Sequence, residues 1–189
     1  MISKPLNMKY TIHLLLCFIT SVTCSAQNKQ SIFLGPGIGL DHGGLGIKAE
    51  YQPFKYVGLF GGAGYNLAGF NGNGGIIYNI MPDKKVTPVL TAMLGVNSAI
   101  IVEHEDANGP TGKKSRLQFE GFTVGGGFDI KFGKKRNQKV NVTLLVPIRD
   151  RGFWWYRNHI TNTLGGTIKQ DIFPVLIAAG WNYNILFRR

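Results

Sequence analysis

Cysteine is the first scarcity, since the 189 residues hold only two, Cys17 and Cys24, both near the amino terminus. If that end is removed on export, disulfides and thiolate chemistry leave with it, and backbone hydrogen bonds and packing must hold the fold. Long apolar runs are also missing. Beyond residue 26 no window reaches the roughly 20 apolar residues that a helix needs to cross a bilayer, which excludes helical spans from that part. Helical amphipathic periodicity is absent too. The 26 glycines sit inside segments such as GPGIG, GLFGGAG and TVGGGFD, where they oppose helices. Acidic residues are few, 10 against 21 basic. For an exported chain that balance favours anionic lipid headgroups over nucleic acid as a partner.

What is present begins with MISKPLNMKYTIHLLLCFITSVTCSAQ. Lys4 and Lys9 precede an apolar run from Ile12 to Ile19, and small residues follow up to Ala26, the order of a secretory signal peptide. Cleavage is expected after Ala26, leaving residues 27–189 as one domain with 19 basic and 10 acidic residues, a net charge of +9. A lipidated Cys24 is the rival reading, but Ser21, Val22 and Thr23 lack the leucine that opens a lipoprotein signal.

The rest of the chain alternates. From Phe173 onward the odd positions Phe173, Val175, Ile177, Ala179, Trp181, Tyr183, Ile185 and Phe187 are apolar or aromatic, and the even ones are mostly small or amide-bearing. A period of two over fifteen residues predicts one long strand with two unlike faces. Seven earlier segments behave alike, over Ser31 to Leu40, Leu45 to Gln52, Tyr56 to Leu67, Gly75 to Met81, Thr87 to Asn97, Phe122 to Phe132 and Val140 to Arg149. DHGG, PFK, AGFNGNG, PDKK, EHEDANGPTGKKS, GKKRNQK and DRGFWWYRNHITNTLGG read as the connections between them. Those after strands 2, 4 and 6 are short, and two of the other four are long. An even strand number with such connections predicts an all-β, eight-stranded, antiparallel, up-and-down transmembrane barrel with both termini periplasmic.

A soluble ligand-carrying barrel also alternates, so the second face decides between the two. A soluble barrel would crowd that face with charge, whereas here it carries glycine, asparagine and threonine with few charges, which suits a narrow lumen. The bulky face then looks into lipid, and closure leaves no unpaired backbone edge in hydrocarbon. Tyr51, Phe54, Tyr56, Tyr65, Tyr78, Phe132, Tyr183 and Phe187 fall near strand ends, where interfacial aromatic girdles belong. Trp181, Tyr183, Ile185 and Phe187 resemble the carboxy-terminal assembly signal of outer-membrane β-barrel proteins, although Arg188 and Arg189 follow the last aromatic. The whole chain resembles small eight-stranded barrels of the OmpA/OmpX type. That resemblance implies the outer membrane, its lipids and the barrel assembly machinery as partners, and no cofactor. It leaves activity open, because the fold carries many roles.

Candidate sites follow from the alternation. Lys48, Glu50, Asp129 and Lys131 are predicted to face the lumen, where buried charges must pair, and they read as a polar plug or a gated path. Arg149, Arg151, Trp154, Trp155, Tyr156 and Arg157 in the last long connection read as headgroup anchoring or as recognition of an extracellular ligand. Lys84, Lys85 and the run Lys134 to Lys139 read as basic turns facing headgroups or solvent. Glu103, His104, Glu105 and Asp106 lack the spacing of a metal site, so no metal is expected. For catalysis only His42 beside Asp41, His104 and His159 offer material, without a motif, and a non-catalytic structural, adhesive or minor-pore role is expected. A barrel enzyme acting on lipid acyl chains is the alternative, and would need a histidine bonded to a serine and an acid at the rim.

Overall fold

In a computed structural model the chain is described over residues 30–106, 109–162 and 173–186. The expected signal peptide, both cysteines, Phe187 and the terminal arginines lie outside the described residues. The strands are β1 (Ser31–Gly39), β2 (Gly44–Gln52), β3 (Val57–Asn66), β4 (Gly69–Asn79), β5 (Val86–Asp106), β6 (Gly109–Phe132), β7 (Gln138–Ile148) and β8 (Leu176–Asn184). Neighbours in sequence are neighbours in the sheet, and β8 returns to β1 to close the barrel. Closure is antiparallel, with Phe33 opposite Asn184 and Ile38 opposite Ala179. The eight-stranded antiparallel barrel expected from the period of two is therefore the fold found.

Side-chain direction follows the same period. Leu45, Ile47, Leu59, Ile76, Leu90, Leu94, Phe128, Leu144 and Ile177 point outward and are exposed, forming an apolar belt round the barrel. Such an outer surface is that of a barrel in hydrocarbon, because in water it would be one large uncovered patch. Trp181 and Ile185, at 43% and 57% exposure, lie on this outer face. That overturns the soluble-carrier alternative, which needed them inside. Tyr51, Tyr56, Tyr78 and Tyr183 ring one end of the belt, and Tyr65 marks the other. Among the described residues no helix is long and apolar enough to cross a membrane.

Four connections differ from expectation. AGFNGNG is not a loop: Asn66 Oδ1 accepts the backbone N–H groups of Ala68 and Gly69 at 2.8 and 2.9 Å, closing a tight turn at once. The chain then continues as β4, with Asn71 and Asn73 buried inside. Most of EHEDANGPTGKKS is strand, for β5 reaches Asp106 and β6 begins at Gly109, the two paired past a bulge between Val96 and Ser98. The DRGFWWYRNH stretch contains a helix, α1 (Arg151–Asn162), begun where Asp150 Oδ1 accepts the Phe153 N–H at 2.9 Å. Strand β8 covers Leu176–Asn184 and not the full run from Phe173. The β7–β8 ladder stops at the pair Leu145–Leu176, and Pro147 and Pro174 just beyond it have no N–H with which to continue it.

Candidate functional site

The fourth difference is the largest. DHGG does not turn the chain outside the barrel, because Leu40–His42 forms a single 3-10 turn folded into the lumen. Leu40, predicted on the lipid face, packs instead against an inner apolar cluster of Phe60, Ile77, Val89, Met93, Leu145 and Ala178. Asp41 and His42 are buried, His42 with 0% exposure. Glycines on the surrounding strands make the room. A methyl group on Gly37 or Gly180 would fall 2.3 or 2.4 Å from His42 Nε2, and one on Gly62 would meet the Asp41 carbonyl at 2.1 Å. These contacts are closer than any side chain tolerates, so the glycine pattern is the mould of this inserted turn.

Charge is paired around it. Lys48 Nζ donates to Asp41 Oδ2 at 2.6 Å, and the other carboxylate oxygen lies 2.8 Å from His42 Nδ1. The Asn141 amide, turned to suit its neighbours, accepts from Lys48 Nζ at 3.1 Å and donates to the Gly180 carbonyl at 3.0 Å. Nearer the short-turn end Lys139 Nζ lies 2.7 Å from Glu50 Oε2 and 2.7 Å from Asp129 Oδ2, and all three are buried. Gln52 Nε2 donates to Glu50 Oε1 at 2.6 Å, and the Phe33 ring centroid lies 4.5 Å from Lys139 Nζ. Two ammonium groups thus serve three carboxylates across strands far apart in sequence. Their attraction offsets a desolvation cost that neither partner could bear alone.

The sequence placed Lys48, Glu50 and Asp129 in the lumen, and they are there. Lys131 is bonded differently. It shares their inward face, opposite Lys139 in the ladder, but its Nζ donates to the Pro82 carbonyl at 2.7 Å and ties β6 to the β4–β5 turn at the mouth. Lys139, read as part of a basic turn, is instead an inward residue of β7 that sequence reasoning missed, and Asp41 and His42, named from the sequence only as possible catalytic material, are lumen residues. One signal pointed to the inserted turn: Gly37, Gly46, Gly62, Gly64 and Gly180 leave more space than a lumen of side chains needs.

The outer end is a second feature. Helix α1 buries Phe153 against Phe119 of β6, edge to face at 5.3 Å, with Tyr156 beside the same ring at 6.0 Å. Arg149, read as an anchoring or recognition residue, makes ties within the protein. Its Nε donates to Ser98 Oγ and its Nη2 to the Phe173 carbonyl, both at 2.9 Å, and its guanidinium covers Phe153. Burial, then the nearby Arg157, lowers its pKa from the ordinary value. Trp154 and Trp155 stay exposed at 44% and 67%, with Arg157 over the Trp154 ring and His159 stacked on Trp155. Arg151 is exposed beside them. The side chains of Glu103 to Asp106 fall outside the described residues.

No histidine among the described residues is hydrogen-bonded to a serine. His42, the nearest thing to a catalytic rim histidine, is sealed in the lumen and faces Asp41. Among the described residues no group of three or more His, Cys, Asp or Glu is placed to hold a metal ion.

No family model matches the sequence, and no curated protein matches it. Among solved structures, the N-terminal β-barrel domain of Pseudomonas aeruginosa OprF is similar over 82% of this chain and 97% of its own, with 14% identity and a TM-score of 0.48.

Proposed function

We propose that this protein is an outer-membrane barrel closed to ions, with a structural or adhesive role carried by its outer end. One observation supports the reading above the rest. An inserted turn, an apolar cluster and two buried ion-pair groups stand inside the barrel, which supports a plugged lumen. A barrel of eight strands has little interior to spare, so such filling amounts to a plug. The exposed Trp154, Trp155 and Arg151 on α1 then offer an aromatic and cationic surface for headgroups or an extracellular ligand. Both termini lie in the periplasm in this reading, and the outward Trp181, Tyr183 and Ile185 address the chain to the barrel assembly machinery.

The test is heat-modifiable migration of the refolded protein, followed by planar-bilayer conductance of the same sample. A gel shift only on boiling, with no discrete current steps, is the expected result. Steady channels from an inserted barrel would replace the plug by a pore.

A further inference from the structure

The three turns at the short-turn end of the barrel are unusually basic. Pro53 to Tyr56, Met81 to Lys85 and Gly133 to Asn137 carry Lys55, Lys84, Lys85, Lys134, Lys135 and Arg136 against one acid, Asp83. Asp83 holds the turns together more than it neutralises them. Its carboxylate pairs with Lys55 of the first turn, and its carbonyl accepts from Arg136 of the third. Lys131 adds two further ties, from its Nζ to the Pro82 carbonyl and from its backbone N–H to the Lys85 carbonyl, each 2.7 Å. The turns therefore present one preorganised plate of cations. The nearest acids above it, Glu50 and Asp129, are already paired with Lys139 and do not cancel its field. The Asp83 hydrogen bond holds Lys55 above its ordinary pKa, so this cation keeps its charge.

A second observation concerns the backbone. Lys135 and Arg136 have φ of 61° and 58°, two consecutive residues in the left-handed region. Glycine or asparagine fills such positions with least strain, and a turn that keeps Lys and Arg there breaks a local rule where the side chains are cationic. A third observation sets the depth. Tyr51, Tyr56, Tyr78 and Tyr183 ring the barrel at this end, Tyr56 stacks on Tyr78 at 6.4 Å, and Lys55 Nζ lies 5.8 Å from the Tyr56 ring centroid. Tyrosines belong at headgroup level, so cations just beyond them stand at the depth of lipid phosphates.

We propose that this end of the barrel binds the phosphodiester headgroups of anionic glycerophospholipids in the leaflet it meets, through Lys55, Lys84, Lys85 and Arg136. The proposal rests on the reading of the chain as a membrane barrel and adds to it a lipid class and a face.

A single tryptophan tests both levels. The variant W154F/W155F leaves Trp181, which faces lipid and pairs with Val140 three residues above Asn137. Refolded into phosphatidylcholine vesicles, it is quenched in turn by brominated phosphatidylglycerol and by brominated phosphatidylcholine at equal fraction. The expected result is a preference of at least about fivefold for the anionic lipid, the factor one basic residue contributes near such a surface. K84Q/K85Q, which leaves the partners of Asp83 intact, should lower the preference, and adding R136Q should bring it close to one. Equal quenching by both lipids would overturn the proposal and leave the membrane barrel standing, as would a preference that survives all three substitutions. Quenching by neither lipid would overturn both readings.

Discussion

Lys139 is fully buried between two carboxylates, and its removal would leave both uncompensated. Lys139→Met is expected to lower stability by about 3–5 kcal/mol, measured as urea unfolding from lipid vesicles. Adding Glu50→Gln and Asp129→Asn should recover most of that loss, because the cost comes from unpaired charge and not from lost packing. His42 makes a similar point through space. Gly180→Ala puts a methyl group against the His42 ring, so the variant should refold poorly, and His42→Ala in the same chain should restore the heat-modifiable shift. Without that rescue, the mould around the inserted turn is not what the glycine serves. At this scale the sequence was legible where a residue's role follows from its place in one strand, as for Lys48 and Glu50. It was not legible for Lys139, because GKKRNQK reads as a solvated basic turn until the partners from β2 and β6 are known.

At the scale of elements, the outer cap and the β6–β7 turn differ in how they are secured. Among its described side chains helix α1 buries Phe153, set against Phe119 and under Arg149. Phe153→Ala is expected to cost about 3 kcal/mol or more and to release the cap as a unit. Limited proteolysis should then cut within residues 151–162 while the barrel keeps its gel shift. The β6–β7 turn carries strain in place of an anchor. Lys135→Asn with Arg136→Gly should relieve about 1 kcal/mol at each left-handed residue and raise the unfolding midpoint, while weakening the preference for anionic lipid. A fall in stability would mean that the tie from Arg136 to Asp83 outweighs the strain. The elements that sequence reading lost were those where a turn signal was overridden. Asn66 closed its turn early and let β4 begin at Gly69, while Asp150 capped a helix inside what read as a loop.

For the whole molecule the filling of the lumen is the property that matters, since closure leaves a space that must be occupied by something. Asp41→Gly with His42→Gly would empty the middle of the barrel and leave Lys48 facing it. Small discrete conductance steps are expected from this variant in planar bilayers, and none from the parent chain. If both are silent, the apolar cluster round Phe60, Met93 and Leu145 is the true seal. The outer surface should be indifferent to the change, so the boiled-only gel shift should persist.

The period of two belongs to each strand separately, and it determined which residues face lipid and which face inward from the sequence alone. The apolar belt, the tyrosine ring and the closed antiparallel order were readable for that reason. What fills the inside was decided only by the tertiary structure. Lys139 meets Glu50 across 89 positions of sequence, and His42 lies against glycines on β1 and β8. Such neighbours exist only after β8 has returned to β1, because closure sets which inward residues stand opposite one another across the lumen.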